Sequence, residues 1–391
     1  MKLRHLRFSG RRFATVVVAT ALAAGFTAAS AQAAAPLSPV SKNLTYRCTF
    51  PLVGPQDVAA TVAITFPDSG TTGSRIVNGD LNITATLSAN IVSALRAFQT
   101  ATTQGSAVAD VDATHNSNTF TLGIPGLTIA KQNVPSSGTM PVAISGPTPS
   151  MIVYDAGAVV IKAGASFSAK VDTRKADGTP TALGVLNVPC TVKATTPPQD
   201  LSLASIPVTG DNVTPPSTGT QVPGGTVNKT LTYNCVFPQS GAQDVSGTVT
   251  GTIPASGAHG TRLQPSLSIA ATIPTAVADV LRANNAATVS GKGQADAFAT
   301  YNGANITVGV PGPVPSVAVP ASGPLTANLA PAVPSISVPA AGSITLSAGP
   351  ELHGTFTPLQ ADGTPTALGT FDVPCTLNPG QDPALGTITV T

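Results

Sequence analysis

Three kinds of residue recur at matched positions along this 391-residue chain and could carry chemistry: aspartate, arginine and cysteine. Asp57 and Asp244, Asp110 and Asp296, and Asp177 and Asp362 stand at equivalent places in two similar halves. Two carboxylates held roughly 5 to 10 Å apart can cleave a glycosidic bond, one as acid and the other as base or nucleophile. That chemistry would place Asp110, Asp296 and a further acid in one cleft. A structural reading competes, because Asp177 and Asp362 sit in turn sequences and Asp57 and Asp244 follow a loop. Asp110 and Asp112 share one side of a strand and could contribute to a calcium site. Asp112 becomes Phe298 in the second half, however, and a calcium ion needs about six to eight oxygens. Arg96 and Arg282 offer either a contact for an anionic ligand or a structural ion pair with a repeated aspartate.

Histidine gives weaker leads. His115, His259 and His353 align with Tyr301, Thr72 and Ser168, so no histidine is shared by both halves. Glu351 and His353 fall on one face of a strand-like run, but an acid and an imidazole without a nucleophile do not make a triad. Serine is abundant, yet the G-x-S-x-G, S-x-x-K and H-E-x-x-H patterns are all missing. Four cysteines, Cys48, Cys190, Cys235 and Cys375, allow three pairings. None has the C-x-x-C spacing or the shared histidines of a zinc site. Their placement near the start and end of each half favours Cys48 with Cys190 and Cys235 with Cys375. No metal, cofactor or catalytic residue is implied.

What positions these residues is a domain written twice. Lys42 to Cys48 (KNLTYRC) matches Lys229 to Cys235 (KTLTYNC), and Gly73 with Arg75 matches Gly260 with Arg262. Leu95-Arg96-Ala97 matches Leu281-Arg282-Ala283, and Gly123 matches Gly309. Ala176 to Gly184 (ADGTPTALG) recurs unchanged as Ala361 to Gly369, and Val188-Pro189-Cys190-Thr191 recurs as Val373-Pro374-Cys375-Thr376. The repeats span 42–209 and 229–391, joined by a Pro- and Gly-rich linker over 210–228. Short Thr-, Val- and Ile-rich runs such as Val58 to Phe66, Leu81 to Leu87 and Ala165 to Val171 read as strands with one face inward. One helix per repeat is expected, with Ile91, Val92, Leu95 and Phe98 buried in the first and Val277, Val280 and Leu281 in the second. Asp177-Gly178 and its copy read as the turn of a terminal hairpin. The expected class is all-β: two tandem sandwich-like domains, immunoglobulin-like in architecture, each with one short helix.

Residues 1–33 carry five cations, no acid, an apolar stretch and Ala31-Gln32-Ala33, the order of a cleaved export signal. Arg11-Arg12 admits the twin-arginine route as well as the general one. Without that segment 14 cations face 17 acids, so the mature chain is faintly acidic and offers no field for nucleic acid. No later run is long and apolar enough to span a membrane. Charged residues make up 9% of the chain and tryptophan is absent, which argues against solvated helices and against a flat aromatic sugar platform.

The opening Leu44 to Pro51 and Leu231 to Pro238, with the ADGTPTALG and VPCT endings, resembles a domain of unknown function found, often in tandem, in secreted proteins of actinobacteria. The resemblance implies export and a β-rich domain; it brings no catalytic residue. The leading expectation is a secreted, non-enzymatic structural, adhesive or binding protein that is extracellular or associated with the cell wall. Its partner would be a cell-wall or extracellular protein, or another copy of itself through strand edges. The alternative is a secreted hydrolase of cell-wall polymer or glycan working through paired aspartates.

Overall fold

The computed structural model describes residues 36–51 and 53–391; the expected export signal over 1–33 lies outside them. In chain order the first repeat forms β1 (Leu37–Phe50), β2 (Gly54–Pro67), β3 (Gly70–Thr71), β4 (Arg75–Ile76), β5 (Leu81–Leu87), α1 (Ala89–Ala97), β6 (Thr102–His115), β7 (Asn118–Asn133), β8 (Met140–Gly146), β9 (Ser150–Val153), β10 (Gly157–Arg174), β11 (Pro180–Val192) and β12 (Ser202–Thr209). The second forms β13 (Thr226–Phe237), β14 (Gly241–Thr252), β15 (Ser256–Gly257), β16 (Ser266–Ile273), α2 (Thr275–Ala283), β17 (Thr288–Tyr301), β18 (Ala304–Ala318), β19 (Leu325–Leu329), β20 (Ser335–Ser337), β21 (Gly342–Leu359), β22 (Phe371–Leu377) and β23 (Ala384–Val390).

The expected alternation is plain in β1, where Leu44, Tyr46, Cys48 and Phe50 are buried, and in β2, where Val58, Ala60, Val62, Ile64 and Phe66 are. Burying every second side chain of a strand gives one dry face. A sandwich is not how the first repeat uses it. Its strands follow one another as β1, β2, β5, β8, β7, β6, β10 and β11, and β11 pairs again with β1, so the sheet closes into an eight-stranded barrel. Closure removes the free edges that a sandwich would have to protect. Cys48 and Cys190 stand directly opposite each other on β1 and β11 and are disulfide-bonded, which locks the first strand to the last across the closing ladder. Cys235 and Cys375 do the same between β13 and β22.

The second repeat runs its eight strands in the same order, but β18 and β19 are not joined by a ladder. In the first repeat that seam is closed by two pairs, Thr128 with Ser145 and Ile129 with Ile144. By strand register the counterparts of Thr128 and Ile129 are Pro313 and Val314, and β18 also carries Pro311 and Pro315 at alternate positions. Proline has no N–H to donate, so the second repeat lacks donors at this seam and its sheet is not laced shut there as the first is.

The helices lie where expected with a shifted stripe. Ile91, Val92 and Leu95 are buried, while Phe98 falls after the last turn and is exposed; in α2, Ala278 takes the place expected for Val280 beside Val277 and Leu281. The hairpin turns form as read. Gly178 and Gly363 have φ of 83°, and Asp177 and Asp362 each accept bonds from the N–H and hydroxyl of the following threonine, Thr179 or Thr364.

The repeats trade strands. β9 of the first pairs with β18 of the second, Ser150 opposite Gly309. Its counterpart β20 pairs with β7 of the first, Ser335 opposite Gly123. Residues 36–391 accordingly make one compact unit. The linker is packed along it: Val213 N–H donates to Tyr154 O at 2.8 Å, and Thr387 N–H donates to Val222 O at 2.8 Å.

Candidate functional site

The strand exchange brings together the repeated charges. Arg75, on β4, reaches Asp296 of the other repeat through two parallel bonds, Nη1 to Oδ1 at 2.9 Å and Nη2 to Oδ2 at 2.6 Å. Arg262, its counterpart, reaches Asp110 of the first repeat at 2.6 Å. Each repeat thus lends its arginine to the other's aspartate, under a pseudo-twofold relation that also relates β9 to β20.

Local structure explains why these aspartates point where they do. Asp110 lies where β6 and β10 slip register between Val111–Ala163 and Ala109–Phe167, and Asp296 lies at the equivalent irregularity between β17 and β21. A bulge re-aims a side chain out of the pleat. Gly164 and Gly349 are needed opposite, since a Cβ there would stand 2.4 Å from the Asp110 Cβ and 2.3 Å from that of Asp296. Gly123 and Gly309 are needed where the exchanged strand crosses. A Cβ on either would meet the hydroxyl of Ser335 or Ser150 at 2.2 or 2.3 Å.

The two clasps are unequal. Asp296 has a side chain only 1% exposed, and Arg75 also bonds Ser150 Oγ at 3.0 Å and Glu351 Oε2 at 2.6 Å. Glu351 belongs to the bulged stretch of β21, and its counterpart is Ser166, so Arg262 has no second carboxylate from that position. Burial pushes the carboxyls of Asp110 and Asp296 above the usual range, against the pull of their arginines. The guanidinium of Arg75, although burial opposes its charge, is held above its ordinary value by Asp296 and Glu351. The carboxylate therefore bears the desolvation cost and the arginine gains from two partners. Burial also lifts the nearby phenols, Tyr46 to about 12 and Tyr233 in the same direction.

The remaining nominated residues are placed apart from one another in structural contacts. Asp57 pairs with Arg47 at 2.8 Å and Lys193 at 2.6 Å, and these hold its carboxyl below the usual range. Asp244 accepts instead from the amides of Asn234 and Asn378. Asp112 accepts from Thr121 Oγ1 at 2.5 Å. Arg282 binds Asp279 and the carbonyl of Pro320, whereas Arg96 is exposed. His353 lies 3.8 Å from Asp372 and His259 faces the carbonyl of Thr391. Among the described residues no cluster of three or more His, Cys, Asp or Glu is arranged to hold a metal ion. Sequence reasoning singled out Asp110 and Asp296 but not their partners; the signal was Arg75 and Arg262 recurring in a chain with so few cations.

A family model described as a family of unknown function, DUF6801, matches residues 45–204 and 232–386. The chain belongs to that family. Each DUF6801 region holds one arginine and one aspartate of the clasps and both cysteines of one disulfide. No curated protein matches the chain. The two disulfides of its DUF6801 units suit an oxidising environment, and no helix among the described residues is long and apolar enough to cross a membrane.

Proposed function

We propose that this protein is a non-enzymatic structural component of the extracytoplasmic space, exported through residues 1–33 and held against the cell wall or another extracellular protein. The observation that carries the reading is the fate of the repeated acids. Asp110 and Asp296, the best candidates for paired acid catalysis, are each drawn into a clasp with the opposite repeat. Disulfides, crossed strands and buried ion pairs together favour a stiff body over a mobile active site. The two repeats act as one body, and the linker does not serve as a hinge.

Co-sedimentation of the disulfide-intact protein with cell-wall fractions tests this. Retention without release of soluble fragments is the expected outcome. Fragment release that disappears in the Asp110→Asn, Asp296→Asn variant would instead establish the hydrolase.

A further inference from the structure

The linker fills a groove on the second repeat. Thr387 of β23 donates its N–H to Val222 O and accepts from Gly224 N–H, both at 2.8 Å, so Pro223 bridges to it as a short parallel strand. Farther back, Thr220 N–H donates to Asp382 Oδ1 at 3.0 Å. Ser347 Oγ donates to Thr218 O at 2.8 Å and accepts from Gln221 Nε2 at 3.0 Å. Gln221 Oε1 in turn accepts from Thr387 Oγ1 at 3.3 Å. Under this cover Ser347 is completely buried.

The pseudo-twofold relation gives the first repeat a matching groove, and among the described residues no segment lies in it. Ser205 of β12 stands opposite Val160 as Thr387 stands opposite Thr345. In an antiparallel ladder that register turns both backbone groups away from the neighbouring strand. Ser205 therefore points its N–H and C=O outward, and no described backbone group bonds them. The strand β1 does not supply the cover. It runs on along β2, with Leu37 opposite Pro67, whereas β13 starts only at Thr226 and the chain before it bends onto β23. Ser205 is exposed where Thr387 is half-buried, and Lys162, at the position of the buried Ser347, is exposed as well. Asp112 stands opposite Lys162 on β6 but accepts from Thr121, and Lys162 makes no ion pair among the described residues. This lysine changes the chemistry of the groove at one point. A serine hydroxyl both donates and accepts, whereas an ammonium only donates. It suits a backbone carbonyl such as Thr218 O but not the N–H of a glutamine. A carboxylate at that place would accept from both Lys162 and the Ser205 hydroxyl.

We propose that the groove on the first repeat binds an extended segment of another protein, added parallel to β12, with the small uncharged residues of the linker and a glutamate where the linker has Gln221. Main-chain bonds to Ser205 hold the segment, as in other strand additions, and Lys162 selects the glutamate. The inference rests on the proposed attachment to an extracellular protein for the nature of its partner. Peptide binding and retention on the cell wall are read separately, and either can fail while the other holds.

The test is fluorescence anisotropy of two labelled peptides with the full disulfide-intact chain: one copying residues 217–225, the other the same copy with Gln221→Glu. Saturable binding of one glutamate peptide per chain is expected, about tenfold tighter than the unaltered copy. The Lys162→Ser variant, which restores the chemistry of the second repeat, should reverse the order of the two peptides. Ser205→Pro removes the outward N–H and leaves the ladder to β10 intact, and should weaken both peptides about tenfold. Pro207 already occupies the next outward position of β12. If the proline variant fails to fold, the reversal in Lys162→Ser carries the test. No saturable binding, or an unchanged preference in Lys162→Ser, would overturn the proposal. So would a wild-type dimer in sedimentation that Lys162→Ser or Ser205→Pro dissociates, since the groove would then be taken by a second copy.

Discussion

Replacing Arg75 by alanine should be among the most damaging single changes in this protein, and the size of the effect follows from what it leaves behind. Asp296 would keep a side chain 1% exposed with its two charged bonds gone. Stranding one member of a buried pair costs about 3 to 5 kcal/mol. The pseudo-symmetric change, Arg262→Ala, removes a single contact from an arginine 35% exposed, whose pair is already screened by water. Its cost should be about 1 to 2 kcal/mol. Replacing both members of the first clasp, Arg75→Met with Asp296→Leu, removes the stranded charge and should return stability to within about 1 kcal/mol of the wild type. Urea unfolding of the four proteins with disulfides intact reads all three values. If Arg75→Ala costs no more than Arg262→Ala, or if the double change stays as unstable as the single one, the unequal-clasp reasoning is wrong.

Three further outcomes are expected. Because burial raises the folded Asp296 carboxyl above 3.8, the folded state holds its proton more tightly than the unfolded chain. The stability of wild type relative to Asp296→Asn should therefore rise as pH falls from the raised value towards 3.8, and pH-dependent denaturation showing a fall there would contradict it. Gly309→Ala should cost about 1 to 3 kcal/mol by driving a methyl into Ser150, and Ser150→Gly should recover part of the loss in thermal melts. Thr366 Oγ1 is buried without a partner because Pro358 stands where the first repeat has Thr173, which bonds Thr181 at 2.5 Å. Thr366→Val should be neutral or stabilising and Thr181→Val should cost about 1 to 2 kcal/mol, a contrast that paired denaturation curves would show.

Local patterns in the sequence announced the elements well. Alternation in Leu81, Ile83, Ala85 and Leu87, the stripe through Ile91 and Leu95, and the Asp177-Gly178 turn all report on neighbours a few residues away, where sterics and periodicity act. Barrel closure was hidden because a strand with one dry face looks the same in a barrel and a sandwich. Only the second ladder made by β11 distinguishes them. The clasps were hidden for a similar reason: Arg75 and Asp296 are 221 residues apart, and each repeat viewed alone suggests that its own arginine serves its own aspartate. Buried side-chain atoms left without a partner, such as Thr100 Oγ1 and Thr366 Oγ1, were equally silent, since that is a property of packing and not of residue type.

Reciprocal exchange of β9 and β20 sets a rule of parity for the domain. Each repeat donates one strand and accepts one, so two repeats in a single chain satisfy each other and leave neither donor nor acceptor over. A chain with three such repeats would carry one spare donor and one spare acceptor, and would have to find their match on another molecule. Tandem duplication here thus does the work that dimerisation would do for a single copy, and it makes the assembly independent of concentration.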